Sequence, residues 1–268
     1  MWFVRDAGSI VRNDGTEVAL GPRLFLASRT AEELATTAAA AGVSADTIKY
    51  GLRPLWNGLE EVLFEALRAG ASPDEAAAGV TSAILSDAQR LANVIAMGGF
   101  TTFDLPSEFE SGGNNLSMRL RLAQVVFTMT QVGSNERIRF SIDGQPVNVL
   151  SKDGTVLDRP VTREDFEDLL PPMIVEVPRI GSEVASPVRI AGTAQAAEGG
   201  KVTARVLDAA GNVLSEDFVT VTCGTGCHGD YEIELRFDVS SEQPGLIQVE
   251  PERDNKIPLV EIPVTLIP

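Results

Sequence analysis

The stretch LLPPMIVEV, residues 169–177, is where the chain changes class. Two leucines are followed by two prolines, and proline neither donates a backbone hydrogen bond nor continues a helix. Beyond Pro172 the helical signals disappear. Residues 173–177, 188–191, 202–207, 213–222, 231–239, 246–250 and 260–266 are short apolar runs separated by Gly, Pro and Asp. Within 231–239, Tyr231, Ile233, Leu235, Phe237 and Val239 alternate with Glu232, Glu234, Arg236 and Asp238. That period of two buries one face of a strand and wets the other. Seven such runs in about a hundred residues predict an all-β sandwich over residues 171–268.

Upstream, residues 1–170 mix helix and strand signals and read as α+β. Residues 1–5, the Asn13-Asp14-Gly15 turn and 18–20 suggest a hairpin. The run RTAEELATTAAAA (29–41) is rich in strong helix formers and closes on Gly42. Ser44 is placed to cap a short helix reaching Tyr50. In 57–69, Leu59, Leu63, Ala66 and Leu67 share a face, with Glu60, Glu61, Glu65 and Arg68 off it. Ser72-Pro73-Asp74-Glu75 has the form of a capping box with proline in the first turn. Residues 91–97, Gly98-Gly99 and 100–104 predict a hairpin, as do 137–142, Asp143-Gly144 and 147–150. Residues 116–132 form the strongest helix signal. Its apolar surface is wide enough for a helix laid across a sheet, and Arg119, Arg121, Gln124, Thr128 and Gln131 make up the remainder.

Composition bounds the function. The chain has 268 residues, 44% hydrophobic and 22% charged, with a net charge of −16. Lys+Arg number 15 against Asp+Glu 23 up to Leu170, and 7 against 15 after it, so each part carries −8. Acidity spread over both parts argues against nucleic acid and anionic lipid, which need basic patches. No apolar run approaches the roughly 18–20 residues that cross a bilayer. The opening MWFVRDAGSIVRNDG has neither the basic nor the apolar region of a signal peptide. An exported protein of this kind is expected to carry its export or anchoring segment upstream.

Several stretches together resemble a known family. TSAIL (81–85), FTTFDLPSEFESGG (100–113), MRLRLAQVVFTMTQ (118–131) and IRFSIDGQPV (138–147) are similar to a GerMN domain, the module named from bacterial sporulation and spore-germination proteins. VLDRPVTREDFEDLLPP (156–172) resembles the segment leaving that domain in actinobacterial members. SPVRIAGTA (186–194), TCGTGC (222–227) and VEIPVTL (260–266) resemble the immunoglobulin-like domain of bacterial spore germination that often follows it. The resemblance implies a multidomain chain: a GerMN-like α+β domain over 1–170, then an immunoglobulin-like sandwich over 171–268. It departs from the family in a helical insertion at about 21–58, and in QAAEGG (195–200), where relatives often have an aromatic/acidic step. It further implies an envelope location, membrane- or lipid-anchored outside the cytoplasm, and similarity to ring-building motifs without established catalytic residues.

The residues that bear chemistry gather in CGTGCHGD, 223–230, which holds both cysteines and the only histidine. A metal would need three or four ligands, and here only two thiols, one imidazole and Asp230 are local. A redox pair usually has two residues between its cysteines at a helix N-terminus, whereas three intervene here between strands. A disulfide between Cys223 and Cys227 is the expectation. Gly224 and Gly226 permit the turns of so small a ring, and closure contributes about 2 kcal/mol in the chain-entropy account. It would also fit an oxidising compartment. His228 as a general base lacks a nucleophile motif, and GTGCHG (224–229) lies between strands, not between strand and helix, so it is no dinucleotide fingerprint. Asp104, Glu108 and Glu110, near Asn114 and Asn115, form an oxygen-rich loop that is a calcium candidate without EF-hand spacing; turn and capping chemistry explains the same residues. The pairs Glu60-Glu61 and Glu167-Asp168 read as solvated surface.

The resulting expectation is a non-enzymatic envelope protein, with no cofactor, that works by binding or assembly. Its partners would be envelope proteins or cell-wall polymer, not nucleic acid, and homo-oligomers would form through the GerMN-like domain. A peptidoglycan- or glycan-binding module is the alternative; against it, only Trp2, Trp56, Tyr50 and Tyr231 offer aromatic platforms and Tyr231 belongs to the buried face, and a hydrolase ranks below both.

Overall fold

The computed structural model describes residues 1–6, 9–11, 17–19, 22–27, 31–40, 56–84, 93–131, 136–150, 154–195, 200–222, 228–251 and 259–268. In chain order its elements begin with β1 (Trp2–Asp6), β2 (Ser9–Val11), β3 (Glu17–Ala19), β4 (Pro22–Leu26), α1 (Ala31–Ala40), α2 (Trp56–Ala69) and α3 (Pro73–Ala77). There follow β5 (Val80–Thr81), β6 (Asn93–Met97), β7 (Phe100–Leu105), α4 (Asn115–Met129), β8 (Ile138–Ile142), β9 (Gln145–Pro146), β10 (Val149–Leu150) and β11 (Thr155–Val156). The remainder is all strand: β12 (Met173–Val177), β13 (Glu183–Val184), β14 (Val188–Gln195), β15 (Lys201–Leu207), β16 (Val213–Thr220), β17 (His228–Leu235), β18 (Gln243–Pro251) and β19 (Val260–Leu266). None of the described helices is long and apolar enough to cross a membrane.

Two compact units share the chain. The first comprises Met1–Val4, Arg29–Ala71 and Thr81–Leu170; the second comprises Arg5–Ser28, Ser72–Val80 and Pro171–Pro268. The helix-rich stretch at 21–58 contains a strand, β4, as well as α1, while the predicted helix at 44–50 lies outside the described residues.

In the first unit a four-stranded sheet runs β6-β7-β8-β9. β6 and β7 are antiparallel across Gly98-Gly99, both at positive φ as a tight hairpin requires. β7 and β8 are parallel, which needs a long crossover, and α4 supplies it. The hairpin expected to reach residues 147–150 stops at Pro146. Proline has no N–H for the ladder, and Val149-Leu150 pairs instead with Thr155-Val156.

Asn114 caps α4 by accepting the Ser117 N–H at 3.0 Å. From Met118 to Met129 every residue but Arg119 is buried. The polar remainder of this helix is therefore not a solvent face. Arg121, Gln124 and Thr128 are 3%, 0% and 1% exposed. The Arg121 guanidinium donates to the carbonyls of Ala83 (2.8 Å), Phe109 (2.7 Å), Ser111 (2.7 Å) and Gly112 (3.1 Å). Gln124 accepts the Ala83 N–H and donates to the Trp2 carbonyl, and Thr128 Oγ1 accepts the Trp2 N–H. Helix α2 also departs from its simple amphipathic reading: Glu60 and Glu65 are buried with Val62, Phe64 and Leu67, because α2 packs on α1, α4 and β6.

In the second unit, two sheets run β12-β14-β17 and β13-β19-β18-β15-β16. The crossovers β14 to β17 and β15 to β18 are those of a Greek-key sandwich. The chain leaves the first sheet after Val177 and joins the second at Glu183, an eighth strand too short to show as a sequence run. β17 ends its ladder at Leu235, short of the predicted 239, since the Phe237 N–H is taken by Ser186 Oγ at 3.1 Å. The alternation nevertheless continues, and Phe237 and Val239 are buried. At the N-terminal end the hairpin is β2 with β3, Ile10 facing Val18, and not residues 1–5 with 18–20.

Candidate functional site

Among the described residues, strand β16 is the outermost strand of the five-stranded sheet and pairs with β15 alone. None of its eight residues is fully buried; Leu214, Ser215 and Val219 are half-buried, the other five are exposed, and the strand also lies near β17. Val213 and Phe218 are 53% and 55% exposed. Beyond Thr220 the chain crosses towards β17, with the Thr222 N–H donating to the Asp230 carbonyl and the Asp230 N–H to Thr222 Oγ1. On the outer face Lys201 Nζ sits 4.3 Å from the Phe218 ring centre, and Arg205 bridges Glu216 and Glu250. Hydrogen bonds from Arg205 to Glu250 and Glu216 raise the guanidinium pKa, so it stays a fixed cation. Glu216 and Asp217 put two acids at the middle of the strand.

A second feature of the same unit is a cavity of about 200 Å³. β4 contributes Arg23, Leu24, Phe25 and Leu26; β12 contributes Met173, Ile174 and Val175; Arg5 and Leu259 complete its wall with others. β4 lies against β12 there. Arg5 Nη1 donates to the Glu261 carbonyl at 3.2 Å, and its guanidinium carbon is 5.5 Å from the Phe25 ring centre. Burial lowers the Arg5 pKa, with the Glu261 charge acting against that.

The residues singled out in the sequence are dispersed. Cys223 and Cys227, with the predicted disulfide, lie outside the described residues. His228 opens β17 opposite Gln195, whose amide nitrogen stands 3.0 Å from His228 Nε2. The amide nitrogen can only donate, so this histidine closes a cross-strand pair. Asp104 Oδ1 accepts from Ser141 Oγ and from the Gly144 N–H, fixing the Asp143-Gly144 turn. Glu108 and Glu110 are half-buried on the 3-10 turn Ser107–Glu110. Among the described residues, no three His, Cys, Asp or Glu side chains are grouped to hold a metal ion.

Of the paired carboxylates, Asp168 is exposed and forms a two-point bond with Arg119. Glu60 is a correction to the solvated reading. It is 6% exposed, burial raises its pKa, and its Oε2 has no hydrogen-bond partner among the described residues. Trp2 is 5% exposed, which removes it as an aromatic platform, and Tyr231, at 3%, lies on the buried face that its alternation predicts. Sequence reasoning passed over Arg5, Arg23 and the open strand. The arginines interrupt apolar runs, WFVRD and PRLFL, and that interruption was the available signal.

Residues 26–148 match the family described as Sporulation and spore germination. Residues 173–255 match the Immunoglobulin-like domain of bacterial spore germination. Among solved structures, a putative lipoprotein from Clostridium perfringens is 21% identical, with 40% of this chain and 68% of that one covered at a TM-score of 0.35. The first GerMN domain of the sporulation protein GerM from Bacillus subtilis is 16% identical, covering 60% of this chain and 98% of that one at 0.34. The tandem GerMN domains of the same protein are 14% identical, covering 100% of this chain and 61% of theirs at 0.35. No curated protein matches the chain.

Proposed function

We propose that this chain, which pairs a sporulation-and-spore-germination domain with the immunoglobulin-like domain of bacterial spore germination, is a non-catalytic binding protein of the bacterial envelope. Its second domain docks an extended, basic segment of another envelope protein along β16. The observation that carries this reading is the strand itself, bonded to β15 on one side and mostly exposed along its length. An open edge offers a ready ladder to an added strand. The chemistry of the edge selects the partner. Self-pairing centred on Glu216 or on Asp217 would set that acid against its own copy, and like charges directly opposed are unfavourable. Lys or Arg on the incoming strand meets those acids instead, while Val213 and Phe218 offer apolar contact.

The test uses the full chain and a synthetic strand peptide with lysine alternating with valine. Hydrogen exchange read by mass spectrometry is expected to slow within 213–220 on adding the peptide. Replacing Asp217→Lys and Phe218→Lys together is expected to weaken peptide binding at least about 10-fold, with the unfolding midpoint kept. Undiminished binding by that variant sinks the reading. Co-sedimentation with purified cell wall is the parallel arm, and pelleting that the same pair of substitutions leaves intact would favour a wall polymer as the ligand.

A further inference from the structure

Arginines in the described residues have partners of several kinds, Arg139 for one lying over the Phe100 ring, and Arg5 and Arg23 are distinguished by standing together at one cavity. Arg68, Arg119, Arg159, Arg189, Arg205 and Arg236 pair with carboxylates. Arg121 and Arg163 satisfy themselves on buried carbonyls and a hydroxyl. Arg5 and Arg23 each donate to a single backbone carbonyl, of Glu261 and Pro22, and neither is in an ion pair. Both stand on the wall of the same cavity, whose other walls are mainly aliphatic and aromatic. In a chain of net charge −16, two guanidiniums outside the ion pairs of the described residues stand on one mainly apolar hollow, with Glu261 also on its wall. The Glu261 carboxylate, which accepts from Gln248, is the charged neighbour that acts on Arg5.

We propose that this cavity binds a small ligand with one carboxylate end and an apolar body. A guanidinium presents parallel N–H donors whose spacing matches two carboxylate oxygens. Arg5 and Arg23 take the anionic end, and Leu24, Leu26, Met173 and Val175 take the body. At about 200 Å³ the space is below the roughly 300–1,000 Å³ of drug-sized sites, so it suits a short chain or one ring. Leu259, 41% exposed, leaves a way in. The site shares no residue with β16 and stands whether or not that strand docks a partner.

Isothermal titration of the full chain with sodium octanoate, sodium 3-phenylpropanoate and 1-octanol tests the proposal. Octanoate or phenylpropanoate is expected to saturate one site, and the preference between them tells an alkyl from an aromatic source. Octanol, with an apolar body and no charge, is expected to bind at least about 10-fold more weakly. Arg5→Met and Arg23→Met are each expected to weaken carboxylate binding by about 10-fold. Arg23→Met is the safer variant, because its guanidinium bonds only to the carbonyl of its own neighbour. An unchanged unfolding midpoint separates lost binding from lost fold. Octanol binding as tightly as octanoate, no saturable binding of either acid, or an Arg23→Met variant with full affinity each overturns the proposal.

Discussion

The two units bury their backbone polar groups in opposite ways. In the first, the start of β1 at Trp2, the bend at Ala83 and the end of the 3-10 turn with residues 111–112 are held by side chains from a single helix. Arg121, Gln124 and Thr128 lie at spacings of three and four along α4, which sets them in one stripe. In the second, strands bond one another, and close approach does the rest. At Gly192 an added Cβ would stand 2.0 Å from the Ile174 carbonyl oxygen and 2.7 Å from Tyr231 Oη. The Tyr231 hydroxyl donates to that same carbonyl at 3.0 Å, and burial raises its pKa, so it remains a neutral donor. Around α4 in the first unit a few polar side chains serve remote backbone groups; around Gly192 in the second, close approach of strands does.

The largest expected effect tests the first half of that contrast. Arg121→Met keeps much of the aliphatic stem and removes every donor to four carbonyls. Hydrogen bonds from a charged donor contribute about 1.5–3 kcal/mol each, without simple addition, and buried carbonyls left unpaired cost more. A loss of about 4 kcal/mol in the first unit is expected on those terms. Both tryptophans belong to that unit, so their fluorescence in urea follows it selectively. A loss under about 1 kcal/mol would show that water or local rearrangement replaces the guanidinium.

The same contrast explains what the sequence disclosed. Alternation in residues 231–239 announces its buried face because each strand residue points to one side or the other. The double proline, the Ser72-Glu75 capping box and the Gly98-Gly99 turn are equally local, and the structure contains them. Arg121 and Gln124 read as surface because their buried acceptors, Trp2, Ala83 and Phe109, lie remote in sequence. Glu60 and Glu65 misled for a related reason: three neighbours pack on α2, and no local pattern tells of the third. The short β13 and the parallel pairing of β7 with β8 are long-range facts as well. As for sites, the conspicuous residues near 223–230 drew attention through their type, whereas β16 is notable for what fails to cover it. Openness of that kind is a property of sheet order, which no run of eight residues encodes.

Gly192→Ala tests the second half, with a smaller effect. The clash is with backbone, so strand β12 must move or the bond from Tyr231 must lengthen. Overpacking of this kind costs about 2–3 kcal/mol. Hydrogen exchange at 188–194 and 173–177 should quicken, while the tryptophan transition in urea keeps its midpoint. A tryptophan midpoint shifted as far as the exchange data would mean that the two units unfold as one, and the contrast between them would lose its energetic content.

The smallest effect asks whether surface charge matters to either unit. Asp165 accepts from Arg159 and from the Thr162 N–H at 2.8 Å, closing a capping box over Arg163–Leu169. Burial alone would raise its carboxyl, but the bonds from Arg159 and Thr162 outweigh that and hold it below its ordinary value. A depressed carboxyl stabilises the fold fully above the ordinary aspartate pKa of about 3.9, and the contribution is lost as pH falls through the lower, folded value. Arg159 is 62% exposed, so solvent screens the pair and its worth is small. Asp165→Asn should therefore lower the tryptophan midpoint slightly at pH 7, and the difference from wild type should shrink below about pH 4. The same difference at pH 7 and at pH 3 would assign the effect to the cap's geometry, with charge contributing nothing. Arg121 would then remain the first unit's one tested case of a charge that holds structure, and it does so because it is buried.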